Sequence, residues 1–178
     1  MNTLAQESME MEPLAAYPGL SVRIAEPADR DFVMSLTPRL VASGPPPWRD
    51  PRKMLAAYVE VIGSILRPQG VQRHTPRSGA ALLIAEDAHA TPIGFVLLVA
   101  AIDCYTHERH GHVAQIVIMD PQDIAAGQTL IAAAQDWTRS RGCRLLTMSE
   151  FWANHPASAV YQQPGFAEEL VKYRRAVR

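Results

Sequence analysis

This chain of 178 residues contains few cysteines and carries almost no net charge. Its two cysteines, Cys104 and Cys143, lie far apart and show no Cys-x-x-Cys or Cys/His ligand spacing. This pattern predicts reduced thiols, no metal site and a cytoplasmic location. The formal net charge of −1 gives no general attraction for nucleic acid or for an anionic membrane, so we expect neither as a partner.

Long hydrophobic runs are missing as well. The longest one, residues 93–102, is too short to cross a bilayer and is typical of a central buried strand. Residues 1–18 are acidic and contain proline, without a basic region before an apolar run, so we expect a flexible tail. Residues 19–178 are enough for a single domain, because folding at this length buries roughly 70% of the unfolded chain's surface.

Apolar periodicity and turn residues predict mixed secondary structure along the whole chain. In the first part they predict a strand at 21–25, a helix at 31–40 with Asp29 as its N-cap, a proline loop at 43–51 and a helix at 51–66. In the second part they predict a loop at 67–79, a hairpin of strands at 81–85 and 93–102, a polar loop at 105–111, strands at 113–119 and 144–149 around a helix at 127–141, and a final strand pair at 166–168 and 171–177.

Small residues at 122–127 lead into the helix predicted at 127–141. Backbone N–H groups there can approach a ligand closely, and the N-terminus of a helix carries partial positive charge. Both features are typical of a site that receives a pyrophosphate. Taken alone, such residues are more often an ordinary turn between a strand and a helix, because short glycine motifs are common.

A second pattern follows at fixed intervals near the C-terminus. Asn154 can cap a helix on which Ala157 and Tyr161 return to nearly the same face, at 3.6 residues per turn. Gly165 and Phe166 then match the end of a helix and the start of a strand. Taken alone, a tyrosine at this spacing is more often a half-buried packing residue.

In this order the two patterns resemble those of the GCN5-related N-acetyltransferases, the GNAT family. That family carries a Q/R-x-x-G-x-G/A loop and, later, an N-x-x-A-x-x-x-Y-x-x-x-G-F segment. The second pattern is matched in full here. In the first, Ala125 stands where the family usually has glycine, and the loop after Pro121 is one residue short. The resemblance extends from about Ser21 to the C-terminus.

The resemblance implies an α/β (α+β) fold, with helices around a mixed, mostly antiparallel central sheet whose parallel strands at 113–119 and 144–149 splay apart. It also implies an N-acetyltransferase that moves an acetyl group from acetyl-CoA to a primary amine of a small molecule or peptide, by direct attack in a ternary complex. The residues that it implies in acetyl-CoA binding are Ile118, Met119, Gln122, Ile124, Ala125, Ala126, Gly127, Gln128, Thr129, Asn154 and Ala157. The amide of Ile118 or Met119 would polarise the thioester carbonyl.

The same resemblance makes Tyr161 the general acid for the departing thiolate, whose conjugate acid has a pKa of about 8.5. A base must also take a proton from the acceptor, because an alkylammonium has a pKa of about 10.4. The family often places a glutamate on the strand predicted here at 113–119. The comparable residue in this chain is Gln115, which cannot serve as the base. Glu150 is the first substitute, and His112 and Glu108 are weaker ones. Alternatively, Glu150 is a solvated strand end, and His107, His110 and His112 are surface imidazoles in a loop.

Aromatic side chains in the loops are candidates for an acceptor pocket, since aromatic walls with a polar group suit a small amine. These candidates are Trp48, Arg49, Tyr105 and Trp152. Trp137 instead falls on the apolar stripe of its helix and is expected in the core. The identity of the acceptor and the formation of a homodimer stay open.

The departures from the family pattern motivate two alternatives to an enzyme. With Ala125, a shortened loop and Gln115, the chain could be a non-catalytic acyl-CoA-binding sensor. It could also be an interaction module that keeps only the fold. Acetyl-CoA binding without turnover would favour the sensor, and no binding of CoA would favour the interaction module.

Overall fold

The computed structural model describes residues 17–42, 45–67, 79–149 and 165–170. The strands are β1 (Ser21–Ile24), β2 (Ala80–Glu86), β3 (Pro92–Ile102), β4 (Arg109–Ile118) and β5 (Leu146–Met148). The α-helices are α1 (Arg30–Leu36), α2 (Pro51–Ile65) and α3 (Ile124–Ser140), and short 3-10 turns lie at Pro27–Asp29 and Thr37–Val41.

The five strands form one sheet in the order β1-β2-β3-β4-β5. The first four pair antiparallel, and β4 pairs with β5 in parallel. The predicted mixed, mostly antiparallel sheet is therefore confirmed. The long apolar run predicted as a central strand is β3, which has two strands on either side.

The sheet has an apolar core on each face. The face covered by α1 and α2, the α1/α2 face, buries Val33, Leu36, Ile62, Leu66, Leu82, Ile84, Phe95, Leu97 and Val117. The face covered by α3, the α3 face, buries Leu83, Ala85, Val96, Leu98, Val113, Leu130, Ile131 and Ala134. Trp137 packs against the second cluster, as expected for a core stripe.

The beginning of α2 is as predicted, whereas that of α1 is not. The carboxylate of Asp50 accepts hydrogen bonds from the amides of Arg52 and Lys53, at 2.8 and 3.4 Å. Asp29, the predicted cap of α1, makes no such bond; its carboxylate accepts from Arg23 and from the amide of Glu26. The reason is that Asp29 lies inside a 3-10 turn, where its side chain folds back on the preceding residues.

Several predicted boundaries differ from the observed ones. Helix α1 ends at Leu36 rather than 40, and a 3-10 turn follows, because Pro38 has no N–H with which to continue the helix. Strand β4 begins at Arg109, inside the loop predicted at 105–111. The described residues 165–170 contain no strand, so the one predicted at 166–168 is wrong.

Other predictions fall on residues outside the described ranges. These are most of the predicted tail, since the description starts at 17, most of the loop at 67–79, and the strand at 171–177. Within the described ranges, no helix is both long and apolar enough to cross a membrane.

Candidate functional site

The two parallel strands β4 and β5 are paired over only part of their length. Their register joins Gly111 to Leu146, His112 to Thr147 and Val113 to Met148. Strand β4 then continues to Ile118, and no other described strand pairs with that stretch on the side away from β3. Among the described residues, the edge between these strands is therefore closed at Val113 and open beyond it. We call residues 114–118 of β4 the parted edge.

A β-bulge lies where the pairing ends. On β3, the neighbours Leu97 and Leu98 pair with Gln115 and Val113 of β4, so Ala114 is an extra residue. A bulge bends its strand and increases the local twist. The bulge coincides with the last pair of β4 and β5, at Val113 and Met148.

The backbone of the parted edge has donors that the sheet does not use. Met119 donates its amide to the carbonyl of Ile93 at 2.7 Å, so that amide is already bonded within the sheet. Successive residues of a strand point their amides to opposite sides. The amides of Ile116 and Ile118 therefore point away from β3. Of the two amides predicted to polarise a carbonyl, that of Met119 is used within the sheet, and that of Ile118 pairs with no described strand.

An arginine that sequence reasoning missed lies at the open end of this edge. The Nη1 atom of Arg39, in the 3-10 turn after α1, donates to the carbonyl of Ile118 at 3.2 Å and also to that of Met119. It brings a positive charge next to the turn that leads into α3. No motif marks this arginine, because the contact joins positions 79 residues apart.

The turn before α3 satisfies most of its own amides. Asp123 is the N-cap, and its carboxylate accepts from the amide of Ala126 at 2.9 Å. The amide of Gln122 donates to the Asp120 carboxylate at 2.9 Å. The remaining bonds within the turn run from Asp123 N to Asp120 O, from Ile124 N to Gln122 O and from Gly127 N to Asp123 O. Of the amides at 122–127, only that of Ala125 meets no acceptor among the described residues.

The start of α3 combines small buried residues with one buried side-chain acceptor that has no partner among the described residues. Gly127 and Ala126 are buried and present no bulk. The Oε1 atom of Gln128 is buried and has no donor among the described residues, so an N–H of a ligand would satisfy it. Thr129 donates its hydroxyl to Ala125 O at 2.8 Å and is thus used inside the helix. The Asp123 carboxylate, however, occupies the place expected for a phosphate.

Two histidines lie on β4 at the closed end of the parted edge. Val113 packs on the α3 face, and a Cβ on Gly111 would overlap the side chain of Thr138 in α3. Because side chains alternate along a strand, His110 and His112 lie on the opposite, α1/α2 face. Sequence reasoning placed both in a loop; the alternation with Gly111 and Val113 is the signal that could have shown a strand.

The two imidazoles are partly buried, and they differ in their hydrogen-bond partners. His112 Nδ1 is 2.9 Å from Thr147 Oγ1. Burial holds the pKa of His112 below its ordinary value of 6.5, and repulsion from His110 lowers the pKa further. The Nδ1 atom of His110 is buried without a partner among the described residues. Both effects, burial and repulsion, favour the neutral form of the His112 imidazole.

The predicted acceptor residues lie in separate segments. Trp48 is 57% exposed in the turn before α2, and Tyr105 is 80% exposed in the loop between β3 and β4. The amide of Arg49 donates to Pro46 O at 2.8 Å. Glu108, a weaker candidate for the base, is exposed in the loop directly before β4.

The remaining predicted site residues lie outside the described ranges. They are Glu150, Trp152, Asn154, Ala157 and Tyr161.

Sequence comparison matches the chain to no family model and to no curated protein. Comparison with solved structures does give matches. An aminoglycoside N-acetyltransferase, AAC(6')-Iy in complex with CoA, has a TM-score of 0.61 and 21% identity, over 94% of this chain and 100% of that chain. A ribosomal-protein-alanine N-acetyltransferase from Brucella melitensis has a TM-score of 0.60 and 17% identity, over 89% of this chain and 99% of that one.

A GNAT family acetyltransferase from Staphylococcus aureus has a TM-score of 0.57 and 11% identity, over 89% of this chain and 99% of that chain. The chain has the GNAT fold. The resemblance drawn from the two sequence motifs is thereby confirmed at the level of fold. At identities of 11–21%, these comparisons show the fold alone.

Proposed function

We propose that the protein is an N-acetyltransferase, which moves an acetyl group from acetyl-CoA to a primary amine by direct attack in a ternary complex. The observation that carries this proposal is the parted edge of β4, within the GNAT fold. The amides of Ile116 and Ile118, which no described strand pairs, can bind an extended ligand as a neighbouring strand would. Acetyl-CoA supplies an activated thioester when it is bound there.

The other binding residues follow from the same placement. Gln128 Oε1 would accept a hydrogen bond from the pantetheine arm, and the backbone at 124–129 would face the pyrophosphate. Arg39 would add a positive charge at the open end. Asn154 and Ala157 are proposed to extend this site. Support comes from the neighbour AAC(6')-Iy, which is described in complex with CoA.

The amine acceptor is proposed to be a small molecule or a peptide. Support comes from the names of two structural neighbours, one an aminoglycoside N-acetyltransferase and the other a ribosomal-protein-alanine N-acetyltransferase. Trp48, Arg49, Tyr105 and Trp152 remain the proposed contacts to the acceptor. Tyr161 is proposed to donate its phenol proton to the departing thiolate, and Glu150 and His112 are the candidates for the base.

A second candidate function is an acyl-CoA-binding sensor without turnover. Gln115 favours it, because an amide at that position cannot take a proton from an acceptor amine. The transfer assay below separates the two functions.

The test is product formation from acetyl-CoA and a panel of primary amines, measured by mass spectrometry. We expect an acetylated product with at least one of spermidine, an aminoglycoside and a lysine-containing peptide. Tyr161→Phe should bind acetyl-CoA as the parent does and lower kcat by about 10²-fold, if protonation of the thiolate limits the rate. Acetyl-CoA binding without any product would instead support the sensor.

A further inference from the structure

The contacts around Thr147 favour one tautomer of His112. Thr147 Oγ1 lies 2.9 Å from His112 Nδ1 and 3.4 Å from the carbonyl oxygen of Gly111, to which it can donate. A hydroxyl has one proton to donate, and a carbonyl can only accept. When that proton goes to Gly111 O, Thr147 Oγ1 accepts from His112, which is the arrangement with the N–H on Nδ1. The Nε2 atom is left with a free lone pair.

The position of His112 along β4 brings this lone pair to the closed end of the parted edge. His112 pairs with Thr147, one position before the last pair of β4 and β5 at Val113. Beyond it, β4 runs to Ile118 and the turn into α3, roughly 17 Å at 3.3 Å per residue. A ligand whose phosphates lie at α3 and whose arm follows this edge would place its reactive end at the closed end.

The charged and titratable neighbours of His112 are few among the elements packed around it. Its partners across the strands, Val99 on β3 and Thr147 on β5, carry no charge. Arg39 contacts the other end of β4, and α3 packs on the opposite face of the sheet. His110 is the one titratable group next to it among the described elements, and it favours the neutral form of His112.

We propose that His112, through Nε2, is the general base that takes the proton from the acceptor amine, and that Thr147 is the positioning residue that holds it in the Nδ1–H form. This inference rests on the proposed function. It replaces Glu150 as the first candidate and places the acceptor over the α1/α2 face of β4. It also moves the amide that polarises the carbonyl from Ile118 to Ile116, which is nearer the closed end.

The step balances without any further reactant. The acceptor first loses one proton to solvent and attacks as a neutral amine. The nitrogen–carbon bond forms and the carbon–sulfur bond breaks; the excess proton on nitrogen passes to Nε2, and the thiolate takes a proton from Tyr161. Both side chains then return to their initial states by exchange with solvent. An imidazole can accept this proton because the attacking nitrogen becomes much more acidic as it bonds to the carbonyl.

The test compares the parent with His112→Gln, which retains a hydrogen-bond donor for Thr147. We expect kcat/KM for an accepted amine of the panel to fall by about 10²-fold at unchanged acetyl-CoA affinity. In the parent, kcat/KM should rise with pH through an ionisation below the ordinary histidine value, which His112→Gln removes. His110→Gln should move that ionisation to higher pH, because it removes the neighbouring imidazole that lowers the pKa of His112.

Thr147 provides a matched pair of variants for the positioning role. Thr147→Val keeps the shape and removes the hydroxyl, and should lower kcat/KM by roughly tenfold; Thr147→Ser should restore it. NMR of nitrogen-labelled histidine tests the same claim without activity. It should find the proton of His112 on Nδ1 in the parent.

Three results would overturn the inference. One is full activity of His112→Gln in an assay in which the parent acetylates an amine. Another is a proton on Nε2 in the NMR spectrum of the parent. The third is an ionisation that Glu150→Gln removes and His112→Gln does not. A parent that binds acetyl-CoA and acetylates no amine overturns the proposed function itself, and this result is visible before any variant is made.

Discussion

At the residue scale, Arg23 joins three segments at the β1 edge of the sheet. From β1 it donates to Glu86 of β2 at 2.7 Å and makes two hydrogen bonds of 2.7 Å to Asp29. Asp29 is 7% exposed, so its charge is stabilised by this guanidinium rather than by water. The Arg23 side chain keeps the pKa of the Asp29 carboxyl below its ordinary value, although burial opposes the shift.

We expect Asp29→Asn to lower the free energy of unfolding by about 1–2 kcal/mol at neutral pH, since Arg23 is 36% exposed and water partly replaces the lost partner. A carboxyl with a depressed folded pKa stabilises the fold above its unfolded pKa. The difference between parent and variant should therefore shrink as the pH falls through 3.8 towards the lower folded pKa. Urea unfolding at several pH values measures it.

Asp31→Asn is the matched control, because Asp31 is an exposed carboxylate in the first turn of α1. It should change the free energy of unfolding by less than about 1 kcal/mol, which is the range for a charge near a helix terminus. A pH-independent effect of Asp29→Asn would contradict the role given to the Asp29–Arg23 pair.

At the element scale, the amides that Asp123 caps at the start of α3 are of the kind that would bind a phosphate. Aspartate is a good N-cap because its carboxylate accepts from helix amides, and those amides are also what binds a phosphate. Residue types alone cannot tell which acceptor the helix uses. In this chain the Asp123 carboxylate accepts the hydrogen bond from the Ala126 amide, and only the structure could show it.

We expect Asp123→Asn to bind CoA about three- to tenfold more tightly than the parent. Asparagine caps a helix as well as aspartate does, so α3 should stay intact while the negative charge next to the phosphates is removed. Isothermal titration with CoA measures the change, and added salt should reduce it. Asp136→Asn, on the exposed far part of α3, is the control with the same change of charge. Equal affinity of parent and Asp123→Asn would show that the phosphates do not meet this carboxylate.

Other elements show how far periodicity reaches. The hairpin of β2 and β3 and the helix α2 follow from apolar patterns, prolines and Asp50, all of which act locally. The early start of β4 could not be predicted from local patterns, because a glycine such as Gly111 is typical of a loop. The structure shows why it lies in a strand: a side chain at position 111 would overlap Thr138 of α3. Asp29 was misread for the same reason, since its partner Arg23 lies on a separate strand.

At the scale of the whole molecule, one sheet with a core on each face holds the parted edge in place. Its central strands, β2 to β4, supply most of both cores, so the bend at Ala114 is fixed from both sides. Two motifs were enough to predict this fold. The details of the site were not predictable. Arg39 and Thr147 act through contacts between positions far apart in the sequence. The Asp123 cap is local, but the residue type does not show whether the helix amides bind this carboxylate or a phosphate.

The central claim is that the parted edge of β4 and the start of α3 bind acetyl-CoA, and isothermal titration of acetyl-CoA tests it most directly. Binding to the folded state alone should also stabilise the parent by roughly 2.7 kcal/mol at a hundred times the dissociation constant. Gly127→Val, with a branched side chain at the buried start of α3, should abolish binding. Ser140→Val, at the exposed end of the same helix, should bind as the parent does. No binding to the parent, or equal binding to a folded Gly127→Val, would contradict the account.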